Sequence, residues 1–224
     1  SGLLIVIMAM MAMLYTGTMD DILNLSPALR FLIEILVVLL LIHAGGYCID
    51  DSHGLWGIGR IPRWIAVPLT VVASVGIINA INLIDGVNGL SSGFCILACM
   101  MFGTLFYLSG DMKMTLLAVV SVGALIPFFF HNVFGKTSKM FIGDGGTLVM
   151  GIIMSIFVIE ILQSGSLCAA YVGESIGLIP FALAVLCIPV FDTLRVMSTR
   201  ILKGASPFHP DKTHLHHMFI ELGA

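Results

Sequence analysis

The chain has 224 residues, 58% of them hydrophobic and 10% charged, against roughly 45–50% and 25% in an average soluble domain. With a mean hydropathy of +1.08, this composition excludes an ordinary soluble domain and points to a polytopic helical membrane protein. The net charge of −3 argues neither for nor against nucleic acid, which is not an expected partner, and the five cysteines carry no metal or disulfide framework.

A bilayer core about 30 Å thick needs ~20 apolar residues in helical form. Seven runs meet or approach that length: 2–18, 28–47, 64–79, 90–108, 114–130, 147–163 and 175–191. The expected fold is therefore all-α, a single domain over 1–224 with about seven transmembrane helices. The chain opens on Ser1-Gly2 directly into an apolar run, which suggests a piece lacking upstream sequence.

If each run crosses once, segments 19–27, 80–89, 131–146 and 192–224 share one face, and 48–63, 109–113 and 164–174 share the other. The first face has Lys136, Lys139, Arg195, Arg200, Lys203 and Lys212, with Arg30 just inside the adjoining helix; the second has Arg60, Arg63 and Lys113. The basic excess makes the first face cytoplasmic under the positive-inside rule.

The chemistry sorts the same way. Asp20 and Asp21 lie between the first two spans, where helix capping and function compete as explanations. The same dipeptide on the opposite face, Asp50-Asp51, reads as a solvated loop without partners. In NAINLIDGVNGL, Asn79, Asn82 and Asp85 recur every three residues, followed by Asn88, a spacing that lines one helical stripe. Polar and ionisable groups at membrane depth are costly to bury and mark function by default.

Asn132 opens the next polar segment, HNVFGKTSKMFIGDGGT. Within it Asp144 sits among Gly143, Gly145 and Gly146, before an apolar helix. Free backbone N–H groups at such a helix start can meet phosphate, and a lone carboxylate with backbone room suits Mg²⁺ bridging phosphate oxygens. Finally, SPFHPDKTHLHH brings Lys212, His214, His216 and His217 together in a spacing that fits no common zinc site. His43 and Glu160 stand alone within spans and read as packed or snorkelling side chains.

Carboxylates, amides, glycines and basic groups on one face describe phosphate chemistry with a divalent metal. The four pieces DDILNLSPALRF, NAINLIDGVNGL, MFIGDGGTLVMG and PVFDTLRVMSTRILKGASPFHPDKTHLHH together resemble the polyprenyl-phosphate N-acetylhexosamine-1-phosphate transferases. That resemblance implies transfer of a sugar-1-phosphate from a UDP-N-acetylhexosamine to polyprenyl phosphate, with release of UMP. It implies Mg²⁺ as cofactor, with Mn²⁺ able to substitute, and the bacterial cytoplasmic (inner) membrane as location. A homodimer is left open.

On the same basis Asp20, Asp21, Asp85 and Asp144 are the catalytic candidates, and Asp144 with Asn82 the metal ligands. Arg30, Asn79, Asn82, Asn88, Asn132, Phe141, Lys212, His214, His216 and His217 are the substrate-binding candidates, Phe141 matching an aromatic that stacks on uracil. The C-terminal motif resembles the branch that uses UDP-GlcNAc to prime O-antigen, teichoic acid or capsule. Asn88 stands where many bacterial relatives have Asp, and Lys212 where Arg is frequent. The family also begins with more membrane helices than this chain has. A non-catalytic nucleotide-sugar-binding paralogue and, less favoured, a membrane transporter are the competing readings.

Overall fold

The computed structural model describes residues 2–135, 142–172 and 177–202. In chain order the α-helices are α1 (Gly2–Leu23), α2 (Pro27–Leu40), α3 (Arg63–Leu83), α4 (Leu90–Ser109), α5 (Met112–Phe134), α6 (Gly143–Leu162), α7 (Leu167–Val172), α8 (Leu178–Val185) and α9 (Cys187–Leu202). A π-helical turn, Leu41–Gly45, extends α2. Among the described residues, six helices are long and apolar enough to cross a membrane: α1, α2 with its π-turn, α3, α4, α5 and α6.

Local chemistry marks the helix ends. Ser26 accepts from the Leu29 N–H while Pro27 takes the first helical position of α2, where its missing N–H costs nothing. Gly110, at φ +83°, closes α4, and Asp111 immediately caps α5 through the Met114 N–H. The expected seventh span, 175–191, falls on a bent pair that is long and apolar enough to cross only when taken as one: α8 and the segment Cys187–Thr199 meet at 75°. Pro189 supplies the reason, since it cannot donate to the carbonyl four residues back and its ring collides with that turn. Residues 192–202, expected as loop, continue α9.

The bundle is built around α6, which is buried along nearly its whole length. Two glycines allow its neighbours to approach. A Cβ on Gly17 of α1 would fall 2.5 Å from the Asp144 carbonyl carbon and from the Gly145 Cα. One on Gly151 of α6 would fall 2.7 Å from the Ile78 Cα in α3. Small residues at such crossings let backbones pack closely where lipid offers no hydrophobic drive between helices. Phe102 and Phe106 of α4 pack on Phe157 of α6, with ring centroids 5.6 and 5.3 Å away. Because the Gly151 clash is with backbone, Gly151→Ala is expected to destabilise the bundle by about 1–3 kcal/mol, read as a lower midpoint in detergent unfolding.

The opposite-face loop departs from expectation. Asp50 accepts from the Ser164 N–H at 2.6 Å and from its hydroxyl at 2.9 Å. Asp51 pairs with Arg60 in an antiparallel backbone bridge and accepts from the His53 N–H. This dipeptide pins a short hairpin to the end of α6; it is not a free solvated pair. The reason is tertiary: residues 161–164 lie more than a hundred positions away in sequence.

Candidate active site

Three polar networks occupy one end of the bundle, where α1, α3 and α5 finish and α2, α4 and α6 begin. The first joins α1, α2 and α3. Asp20, 8% exposed, accepts from the Leu25 N–H with Oδ1 and from Arg30 Nη1 with Oδ2, at 2.8 and 3.1 Å. The other side of the guanidinium faces Glu34, whose Oε1 lies 3.7 Å from Nε. Arg30 Nη2 reaches Asn79 Oδ1 at 3.5 Å, and Asn79 Nδ2 donates to Glu34 Oε2 and to the Val75 carbonyl. Arg30 Nη1 is also 3.9 Å from Asp144 Oδ2, so one cation stands between two carboxylates from different helices.

The second network surrounds the start of α6. Gly143, at φ +69°, turns the chain into the helix, and its N–H is bonded to the Asp85 carboxylate. Asp21 Oδ1 accepts from the Asp144 N–H at 3.0 Å and Oδ2 from the Gly145 N–H at 3.2 Å. The expectation of free N–H groups awaiting a phosphate is therefore corrected. Three successive donors are already taken by two carboxylates, which a helix N-terminus attracts through its partial positive charge. That capping orients Asp144, whose Oδ1 accepts from Asn82 Nδ2 at 2.6 Å; the same amide donates to Thr147 Oγ1 at 2.8 Å. Asp20 and Asp144 both face Arg30 Nη1, at 3.1 and 3.9 Å.

Asp85 corrects the expected stripe. Asn79 and Asn82 belong to the last turns of α3, but Asp85 lies in the turn after it. Its carboxylate accepts from the Ser91 hydroxyl at 2.5 Å. Burial pushes the Asp85 carboxyl above its ordinary value, against the opposing pull of Ser91 and the Gly143 N–H. The three side chains reach three different partners, and only the turn brings them together.

The third network ties this turn to α5. Asn132 Oδ1 accepts from the Gly89 N–H at 2.6 Å, and Asn132 Nδ2 faces Asn88 Oδ1 at 3.5 Å. Gly89 is at φ +76°, and a Cβ there would come 2.5 Å from Val133 Cγ2. The candidates Asp20, Asp21, Arg30, Asn79, Asn82, Asp85 and Asp144 are thus connected, with Asn88 and Asn132 adjoining through the turn. Phe141, Lys212, His214, His216 and His217 lie outside the described residues.

Sequence reasoning overlooked Glu34, Thr147 and Ser91. Glu34 is fully buried and sits one helical turn after Arg30; an i,i+4 acid–base pair inside an apolar helix was the available signal. Among the described residues no three Asp, Glu, His or Cys side chains converge as a metal cage. Two carboxylates, Asp20 and Asp144, with the Asn82 amide beside them offer hard oxygen donors instead. Mg²⁺ commonly takes one or two carboxylates and completes its shell with water and substrate phosphate.

Residues 3–162, which contain all three networks, match the sequence profile of glycosyl transferase family 4. The chain is 31% identical over 211 residues to a probable undecaprenyl-phosphate N-acetylglucosaminyl 1-phosphate transferase of Bacillus subtilis (strain 168), covering 92% of this chain and 55% of that protein. It is 30% identical over 220 residues to the undecaprenyl-phosphate alpha-N-acetylglucosaminyl 1-phosphate transferase of Yersinia pestis, covering 94% and 56%. The protein of that name from Escherichia coli (strain K12) is 26% identical over the same shares. The chain thus spans about half the length of the curated relatives it matches. By the profile match over most of its length, the chain belongs to glycosyl transferase family 4.

Proposed function

We propose that the protein transfers N-acetylglucosamine-1-phosphate from UDP-GlcNAc to undecaprenyl phosphate at the cytoplasmic face of the bacterial inner membrane, releasing UMP. The product would prime a cell-envelope glycan such as O-antigen, teichoic acid or capsule. The observation that carries the reading is the convergence of Asp20 and Asp144 on Arg30, with Asn82 bonded to Asp144, at one end of a membrane bundle. The relatives' names supply undecaprenyl phosphate and the N-acetylglucosaminyl 1-phosphate group; the UDP donor follows from the motif resemblance. A homodimer carries no part of the reading.

In the reaction a lipid phosphate oxygen attacks the sugar-bearing phosphorus of the donor, and the bond to the UMP oxygen breaks. Asp144, with Asn82 and Asp20, would hold Mg²⁺, which when bound neutralises charge on the diphosphate. Arg30 presents Nη1 between Asp20 and Asp144, where it meets phosphate charge as readily as carboxylate. Asp20 orients the acceptor phosphate and takes up any proton it carries. Asp21 and Asp85 hold the Gly143–Gly145 backbone, and through it the Asp144 carboxylate. Direct attack is the favoured course, since the lipid phosphate is itself a nucleophile and needs no covalent enzyme intermediate. Phe141 would stack on uracil, and Lys212, His214, His216 and His217 would contact sugar and phosphate.

The test is UMP release by the chain in nanodiscs with UDP-GlcNAc, undecaprenyl phosphate and Mg²⁺. Release that requires both lipid and metal supports the proposal; binding of UDP-GlcNAc without UMP release, in this chain and in one extended at its N-terminus, overturns it in favour of a non-catalytic relative. Asp85→Asn is expected to abolish turnover while leaving expression intact. Its stability effect has a definite sign. Because folding raises the Asp85 pKa, the unfolded chain ionises first as pH rises through the ordinary 3.8. Stability is then lost and stays lost above the raised value. At neutral pH the variant should melt no lower than the parent, and a melt series from pH 4 to pH 7 checks this.

A further inference from the structure

The hairpin on the face opposite the candidate site has features that the proposed reaction does not use. Trp56 at its tip is 88% exposed, with Ile58 at 51%. Trp56 is also held at φ 55°, a conformation uncommon for a bulky side chain and worth keeping only for a reason. Ser52 closes the hairpin by donating to the Ile58 and Gly59 carbonyls. Three successive attachments fasten its first arm to the end of α6: Asp50 to Ser164, the Asp51 N–H to the Leu162 carbonyl, and His53 Nε2 to the Ile161 carbonyl.

That arm therefore runs back alongside the end of the central helix, from the level of residue 164 to that of residue 161. Standing upright, a hairpin of this size would reach about 15 Å at ~3.3 Å per residue, beyond a headgroup layer roughly 5–8 Å deep. Fastened back against the helix end, the hairpin does not project outward in this way. The second arm runs directly into α3, whose second residue, Trp64, is 77% exposed. Ile65, Leu69 and Val72 continue an exposed apolar stripe down the same helix. Arg60 and Arg63, both exposed, flank the two tryptophans. Amphipathic aromatic rings with adjacent cations suit the boundary between headgroups and acyl chains.

We propose that Trp56 and Ile58, together with Trp64, form an interfacial anchor that seats the hairpin on the lipid bilayer at the face opposite the candidate site. Trp56 and Trp64 are the two tryptophans of the sequence, so intrinsic fluorescence reports on this surface alone. The experiment uses the chain reconstituted in phosphatidylethanolamine–phosphatidylglycerol vesicles containing lipids brominated either near the headgroup or near the chain ends. Trp64→Phe isolates Trp56, and Trp56→Phe isolates Trp64 as an internal depth standard. The expected result is that shallow bromines quench Trp56 as strongly as Trp64, deep bromines quench it less, and aqueous acrylamide quenches it weakly. Strong acrylamide quenching without bromine quenching would place the tip in water and overturn the proposal. Protection from both quenchers would overturn it too, by assigning the surface to a protein contact.

Discussion

Asp144→Asn is expected to lower UMP release by about 10²–10³-fold, the usual loss when one preorganised charge contact at a reacting phosphate is removed. The variant should fold, because an amide oxygen can still accept from Asn82 and the Asp144 backbone N–H remains bonded to Asp21. The loss should appear in kcat more than in UDP-GlcNAc affinity, since the carboxylate acts on charge that develops during transfer. Raising Mg²⁺ should recover part of the rate if weakened metal binding contributes. Unchanged turnover would remove Asp144 from the chemistry and leave the convergence with Asp20 as a structural ion network.

Arg30→Gln should be the most destabilising substitution at the site. It leaves Glu34 fully buried and Asp20 nearly so, without the cation that lies 3.7 and 3.1 Å from them. Stranding one partner of a buried pair costs about 3–5 kcal/mol. Adding Glu34→Gln should return much of that stability, because the stranded charge is gone and an amide can still face Asn79. UMP release should stay low in the double variant, since Arg30 also reaches toward Asp144. Melting midpoints for the two single variants and the double variant form a cycle. Simple additivity would mean that Arg30 and Glu34 do not support one another.

Much of this architecture was legible from composition and spacing. Apolar run length located every span up to α6, because a helix crossing hydrocarbon must satisfy its own backbone and cover it with apolar side chains. The break between α8 and α9 was legible in principle from Pro189. Asp20, Asn82 and Asp144 stood out because polar groups among apolar helices demand an explanation. Glu34 did not stand out, since its importance depends on Arg30 and Asn79 closing around it from two helices.

Sequence by itself determined that this is a helical membrane protein whose polar motifs fall between its apolar runs, since burial in lipid is decided residue by residue. Only the tertiary structure decided what each polar group does. Asp21 became a cap of α6 because Gly17 lets α1 lie against that helix start. Asp50 became a tether because α6 ends beside it. Hydrogen bonds are directional and end at specific atoms, so a side chain's partner follows from how distant helices pack.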